Sequence, residues 1–186
     1  GNPAPKLLLG RTQLRWLQIV SSGIDEYQPL AGTTVQVTTA HGVHSAAIAQ
    51  HTLMTILMLS RGQLHFAQRQ REAKWDRMPS IPLCLRGQTI GFVGYGSVAR
   101  EFVPFTALLG LRAMAMKRER AACPPELTRL DPIEGLDALL VESDHVVITL
   151  PLTTATRGLL DARRVGLLKR GACVYNVARG GLLDED

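Results

Sequence analysis

The segment that most narrows what this chain can become is Gly94-Tyr95-Gly96-Ser97-Val98-Ala99, between a β-rich run at 89–93 and a helix-forming stretch at 97–109. The first glycine permits a tight turn out of a strand, and the second lets main chain approach a pyrophosphate. The third position, here Ala99, must stay small so that the helix can lie on the strand. The start of that helix then offers free N–H groups and the positive end of its dipole to phosphate oxygens. Alone, such a pattern also fits an ordinary turn; its context gives it weight. Further β-rich runs stand at 112–116, 145–150 and 172–177, with helical stretches at 135–143 and at 161–169, the last capped by Asp161 and ended by Gly171. Strands separated by helices of this length predict an α/β fold with a doubly wound parallel sheet.

The first part of the chain has a different rhythm. Residues 14–20 read as a buried strand ending at Ser21-Ser22-Gly23, and 34–39 as a second extended segment. Ser45 suits a helix N-cap, and an apolar run follows to Leu59. Residues 61–75 turn amphipathic and charged, so a break is expected near Gly62. Met78-Pro79-Ser80-Ile81-Pro82 is the best linker, because two prolines so close cannot continue a helix.

Composition closes off several classes. With 186 residues, the chain is one domain or one and a fraction. Hydrophobic residues at 46% and charged residues at 20% are ordinary globular values. The longest apolar stretch, 46–59, contains Gln50, His51, Thr52 and Thr55 and is too short to span a bilayer. Cys84, Cys123 and Cys173 have no metal-ligand spacing and read as free thiols, so a cytoplasmic, reducing setting without a metal is expected. The net charge of +5 comes from scattered basic residues, which predicts no nucleic-acid partner. Residue 1 is Gly rather than Met, so the start reads as a cut or processed end.

The end of the strand at 112–116 bears on cofactor choice. An NAD-selective site places an acid about 20 residues after the glycine turn, to accept from the ribose 2′-hydroxyl. Here stand Lys117 and Arg118, with Arg120 close behind. Cations suit a 2′-phosphate, so NADP(H) is the preferred cofactor and NAD(H) a possible one. A solvated basic turn is the plain alternative. Pro104, inside the expected helix, should either kink it or delay its regular start.

At this point five blocks, in order, carry a resemblance: LRWLQIVSSGID, GVHSAAIAQHTLMTILMLSR, LRGQTIGFVGYGSVAR, ESDHVVITLPLTTATRGLL and LLKRGACVYNVARGGLLDED. The chain resembles the D-isomer-specific 2-hydroxyacid dehydrogenases, and its basic strand end looks like their NADPH-dependent 2-oxoacid, glyoxylate or hydroxypyruvate reductase branch. The resemblance implies a partial, smaller flavodoxin-like substrate domain at 1–80, with a linking or dimerisation helix from about 45. It implies an incomplete Rossmann nucleotide domain at 83–186. Arg179 would hold the substrate carboxylate and polarise the carbonyl, as a planar, always-charged guanidinium can. Backbone amides of Ser22, Gly23 and Ile24 would receive the same carboxylate. Gly94, Tyr95, Gly96, Ser97 and Val98 would cradle the pyrophosphate and Lys117 and Arg118 the 2′-phosphate. Pro151 and Thr156 would flank the cofactor, and Val177, Ala178 and Arg179 would line the nicotinamide. The partners implied are a small 2-oxoacid and a second copy of the chain, with no membrane.

There are departures. Gln50 stands where the family usually has Glu, and Ala99 replaces the third glycine. The family's proton-donating pair, a His tuned by a Glu, is expected beyond Asp186, so residues 1–186 alone should show little reductase activity. None of His41, His44, His51, His65 and His145 matches the catalytic position. A second expectation is a module of the same fold that senses NADPH and dimerises without turnover. A third is a same-fold dehydrogenase of formate or phosphite, which needs a different substrate pocket; the basic strand end argues mildly against NAD-linked formate chemistry.

Overall fold

The computed structural model describes residues 2–11, 13–75 and 84–185. The proline linker at 78–82, with the domain boundary expected at 80–83, lies outside the described residues. The chain divides into two compact units, 1–45 and 46–186.

In the first unit β1 (Trp16–Ile19) pairs in parallel with β2 (Gln36–Thr39). The run at 14–20 was expected to be buried; β1 instead alternates, with Leu17 and Ile19 inside and Trp16 and Gln18 exposed. Its inner face packs on Tyr27 and Leu30, which come from a 3-10 helix at Asp25–Leu30. Its outer face is polar in character: Trp16 Nε1 donates to Thr38 Oγ1 at 2.8 Å, and Thr38 Oγ1 donates to Gln18 Oε1 at 2.6 Å.

The second unit opens with α1 (Ser45–Ser60) and α2 (Gln63–Arg71), separated at Gly62, which adopts φ 63°. The expected break is there, and the left-handed conformation explains why glycine occupies it. Strands β3 (Thr89–Val93), β4 (Arg112–Met116), β5 (Arg129–Asp131), β6 (His145–Ile148) and β7 (Cys173–Asn176) then form one parallel sheet. Its order is β5-β4-β3-β6-β7. Helix α3 (Ser97–Leu109) buries Ala99, Phe102, Val103 and Thr106, one stripe at helical spacing, against one face of the sheet. Helix α4 (Leu136–Glu142) covers the other face with Leu136, Leu139 and Leu140. With helices on both faces every residue of β3 is buried, which is why its sequence does not alternate. The doubly wound α/β sheet expected from the sequence is therefore present.

Three local features differ from expectation or complete it. Helix α5 (Ala162–Val165) is shorter than the 161–169 expected; the chain continues in tight turns, with Leu167 N–H on Arg164 O and Leu168 N–H on Val165 O at 3.1 Å. Its cap is as expected, since Asp161 Oδ1 accepts from the Arg164 N–H at 2.8 Å. Pro104 lies inside α3, whose start at Ser97 is not delayed. Pro104 is exposed, so the carbonyl of Arg100 that loses its helical partner can turn to water.

Candidate functional site

Because all five strands of the second unit are parallel, their carboxyl ends share one edge. The ladder pairs Val93↔Met116, Val93↔Ile148 and Ile148↔Asn176 align the four segments that follow: 94–98, 117–118, 149–156 and 177–179. Strand order reverses at β3, whose two neighbours β4 and β6 run outward in opposite directions. In open α/β sheets that crevice is where ligands bind.

The glycine turn is shaped by close packing on one side and openness on the other. Gly94 has φ 111°, and a Cβ there would stand 3.0 Å from both Thr149 Oγ1 and Leu150 Cδ2. Thr149 Oγ1 donates to the Gly94 carbonyl at 2.7 Å, tying the end of β6 to the turn. A Cβ on Gly96 would meet nothing within 4 Å, so this glycine faces open space. Gly96 is also the N-cap of α3 and supplies no side-chain cap, which leaves the first-turn N–H groups at Ser97 and Val98 to an outside acceptor. Tyr95 is half-buried, with the Arg100 guanidinium 5.6 Å from its ring centre; burial, then the nearby Glu126, raises its phenol above the ordinary value.

Lys117 and Arg118 follow β4 immediately. The Lys117 N–H donates to the Asp131 carbonyl at 2.9 Å, so its backbone closes the ladder; its side chain is half-buried and that of Arg118 is exposed. After β6, Thr156 Oγ1 donates to the Pro151 carbonyl at 2.7 Å and accepts from the Thr153 N–H at 2.8 Å, folding 151–156 into a compact loop. After β7, Arg179 is exposed and Val177 and Ala178 are half-buried, and Arg179 Nη1 donates to the Ala178 carbonyl at 2.8 Å. The sequence-derived cofactor residues of this unit thus gather on one edge. In the first unit, Ser22, Gly23 and Ile24 form the loop after β1, with Ser22 and Ile24 exposed and the Ser21 hydroxyl donating to Gly23 O at 3.0 Å.

Two contributors are not legible in the sequence. Thr149 reads as one more β-branched residue of its strand, and only the fold shows its hydroxyl on Gly94. Asn176 holds the Arg179 turn through both ends of its amide. His145 belongs to the core at the opposite, amino end of the sheet. Its Nδ1 faces Tyr175 Oη at 3.1 Å and its Nε2 faces Gln88 Oε1 at 2.7 Å; burial pushes its pKa down, against the pull of Asp144. Burial likewise pushes the Tyr175 phenol far up. Among the described residues no group of His, Cys, Asp or Glu could hold a metal ion, and no helix is long and apolar enough to cross a membrane.

Comparison with known proteins agrees with this architecture. Residues 53–186 match the D-isomer specific 2-hydroxyacid dehydrogenase, NAD binding domain. The chain is 31% identical over 151 residues to a (S)-sulfolactate dehydrogenase of Chromohalobacter salexigens, covering 81% of this chain and 49% of that protein. It is 28% identical over 155 residues to a hydroxypyruvate reductase of Thermotoga maritima, covering 82% and 48%. It superposes with TM-score 0.76 and 29% identity on a D-isomer specific 2-hydroxyacid dehydrogenase from Xanthobacter autotrophicus Py2 in complex with NADPH and MES, covering 94% and 55%. The chain spans about half the length of the curated relatives it matches. A dinucleotide crevice at a sheet reversal and a family match over residues 53–186 lead to one conclusion: this chain belongs to the D-isomer specific 2-hydroxyacid dehydrogenases.

Proposed function

We propose that the protein carrying this chain is an NADP(H)-linked oxidoreductase that interconverts a small 2-oxoacid and its 2-hydroxy acid. The observation that carries the reading is the common edge on which Gly96, Lys117-Arg118 and Arg179 meet the ends of β3, β4 and β7. The residues fit a dinucleotide: the open side of Gly96 leaves room for a pyrophosphate, and the uncapped start of α3 supplies donors to it. When bound, the nicotinamide supplies a hydride to the carbonyl carbon of the substrate.

The chain's own groups do the rest. Ser97 and Val98 bind the pyrophosphate through their N–H groups, backed by Gly94 and Tyr95. Lys117 and Arg118 meet a 2′-phosphate with positive charge. Pro151 and Thr156 hold the loop that flanks the cofactor, and Val177 and Ala178 line its reactive end. Arg179 grips the substrate carboxylate with a planar fork and polarises the carbonyl. In the first unit, the loop of Ser22, Gly23 and Ile24 offers backbone amides to a carboxylate.

The hydroxypyruvate reductase of Thermotoga maritima and the NADPH-bound structure from Xanthobacter autotrophicus Py2 support the substrate class and the cofactor. A homodimer through α1 fits the exposure of Met54 and Leu59 on that helix. A cytoplasmic location fits the free Cys84, Cys123 and Cys173.

The test is a fluorescence titration with NADPH and NADH, followed by NADPH oxidation with glyoxylate and hydroxypyruvate, in the longest natural polypeptide that carries this sequence. NADPH should bind about tenfold more tightly or better, and Lys117→Asp should erase that preference. Equal affinities, or a ratio unmoved by Lys117→Asp, overturn the cofactor reading. Tight NADPH binding without turnover of any 2-oxoacid favours a sensor instead.

A further inference from the structure

Asn176 is the last residue of β7, and the last backbone bond of that ladder runs from the Val177 N–H to the Ile148 carbonyl at 3.3 Å. There the chain leaves the sheet, and the next three residues are braced by one side chain. The Ala178 N–H donates to Asn176 Oδ1 at 3.1 Å, while Asn176 Nδ2 donates to the Arg179 carbonyl at 2.8 Å. That carbonyl also accepts from the Leu182 N–H at 3.2 Å, where a 3-10 turn, Gly180–Leu182, begins. The amide is therefore used as acceptor on one side and donor on the other. A main-chain N–H can only donate and a carbonyl can only accept, so the chemistry of the turn fixes which way the amide faces.

We propose that Asn176 is a positioning residue: it sets the backbone from which Arg179 reaches the substrate carboxylate. The proposal rests on the role of Arg179 given above. Few side chains could replace it. Aspartate keeps the acceptor for Ala178 but has no donor, and its charge faces the Arg179 carbonyl oxygen. Alanine removes both contacts, and glutamine adds a methylene that displaces them. Asn176 is exposed, so water competes for its hydrogen bonds and their net worth to stability is small. Their worth to geometry is large, because a misplacement of about 1 Å at a reacting group can lower a rate about 100-fold. A positioning role therefore predicts a large catalytic loss beside a small change in melting temperature.

The experiment measures kcat and KM for glyoxylate with NADPH in the longest natural polypeptide carrying this sequence. The proteins compared are the wild type, Asn176→Ala, Arg179→Ala and the double variant. Asn176→Ala should lower kcat/KM for the 2-oxoacid about 10- to 100-fold, with a fall in kcat as well as a rise in KM, because Arg179 both holds the carboxylate and polarises the carbonyl. In the Arg179→Ala background the same change should alter kcat/KM by no more than about twofold, because a residue that acts through Arg179 has nothing left to position. Asn176→Asp, which conserves volume, should lose most of the activity while melting with the wild type, and serves if the alanine variant fails to fold. Losses that multiply in the double variant overturn the proposal, as does wild-type kcat/KM in Asn176→Asp. Wild-type activity in Arg179→Ala overturns the reading of Arg179 itself and this proposal with it. The additive outcome, by contrast, leaves Arg179 in place.

Discussion

Gly94 and Gly96 sit two residues apart and meet opposite demands. A methyl on Gly94 would have to take up φ 111° and press 3.0 Å from Thr149 Oγ1 and Leu150 Cδ2. Gly94→Ala should therefore cost about 1–3 kcal/mol of folding stability as well as cofactor affinity. A methyl on Gly96 would meet no protein atom within 4 Å. Gly96→Ala should leave the melting temperature near wild type while weakening NADPH binding about tenfold or more, as read by thermal melts and fluorescence titration. The other residue with a sharp prediction is His145. Its folded pKa lies below the ordinary 6.5, chiefly through burial, with Asp144 pulling the other way. Above 6.5 the imidazole is neutral in both states and the fold keeps its full contribution. As pH falls below 6.5 the unfolded chain takes up a proton that the native state resists, so stability drops until the folded pKa is reached. Melting temperature should fall as pH drops below about 6.5, and His145→Gln should flatten that slope. In the sequence His145 is legible only as the opening of a buried strand. Its partners Gln88 and Tyr175 lie 57 and 30 residues away, and nothing local announces them.

At the scale of elements, Gly91 decides how closely α4 can approach β3. A Cβ there would come within 2.3 Å of Ser143 Oγ and 2.5 Å of Leu139 Cδ2, both fully buried, with Ser143 Oγ already committed to the Leu139 carbonyl at 2.6 Å. Gly91→Ala should lift the helix and destabilise the unit by about 1–3 kcal/mol, seen as a lower denaturation midpoint. Helix α4 is also tied to α5 by Asp137, which accepts from Arg163 Nη1 at 2.7 Å and Arg164 Nε at 3.0 Å. Those hydrogen bonds, Arg163 first, lower the carboxyl to about 2. The central elements were legible because burial on both faces gives β3 and β6 continuous apolar runs, and because α3 carries its stripe at helical spacing. Strand β5 was not. Arg129-Leu130-Asp131 has no β-rich signature and is a strand only because Ala115 and its neighbours in β4 offer it a ladder. The 3-10 helix at Asp25–Leu30 was missed for a related reason: Pro29 reads as a breaker, whereas a short tight helix accepts it.

For the molecule as a whole, the family match over residues 53–186 begins inside α1, and α1 groups with the second unit. Most of the candidate site was legible because it follows strand ends in one parallel sheet, where turn residues carry strong local signals. The supports behind those turns, Thr149 and Asn176, needed the fold. The net charge of +5 belongs to this scale too. If Lys117 and Arg118 select NADPH through charge, added salt should weaken NADPH binding more than NADH binding. Raising ionic strength from about 0.01 M to about 1 M shortens the screening length from about 30 Å to about 3 Å. The ratio of the two dissociation constants, measured by titration across that range, should move toward one.

The closing ladder bond from the Lys117 N–H to the Asp131 carbonyl is a main-chain contact, indifferent to the side chain it comes from. Any residue but proline at 117, and any at 118, leaves that N–H in place, so the sheet keeps its last rung. If Lys117 and Arg118 select the cofactor as proposed, that choice is mechanically decoupled from the folding of the domain. On that reading, two adjacent codons could be rewritten to change the cofactor while the scaffold stays as it stands.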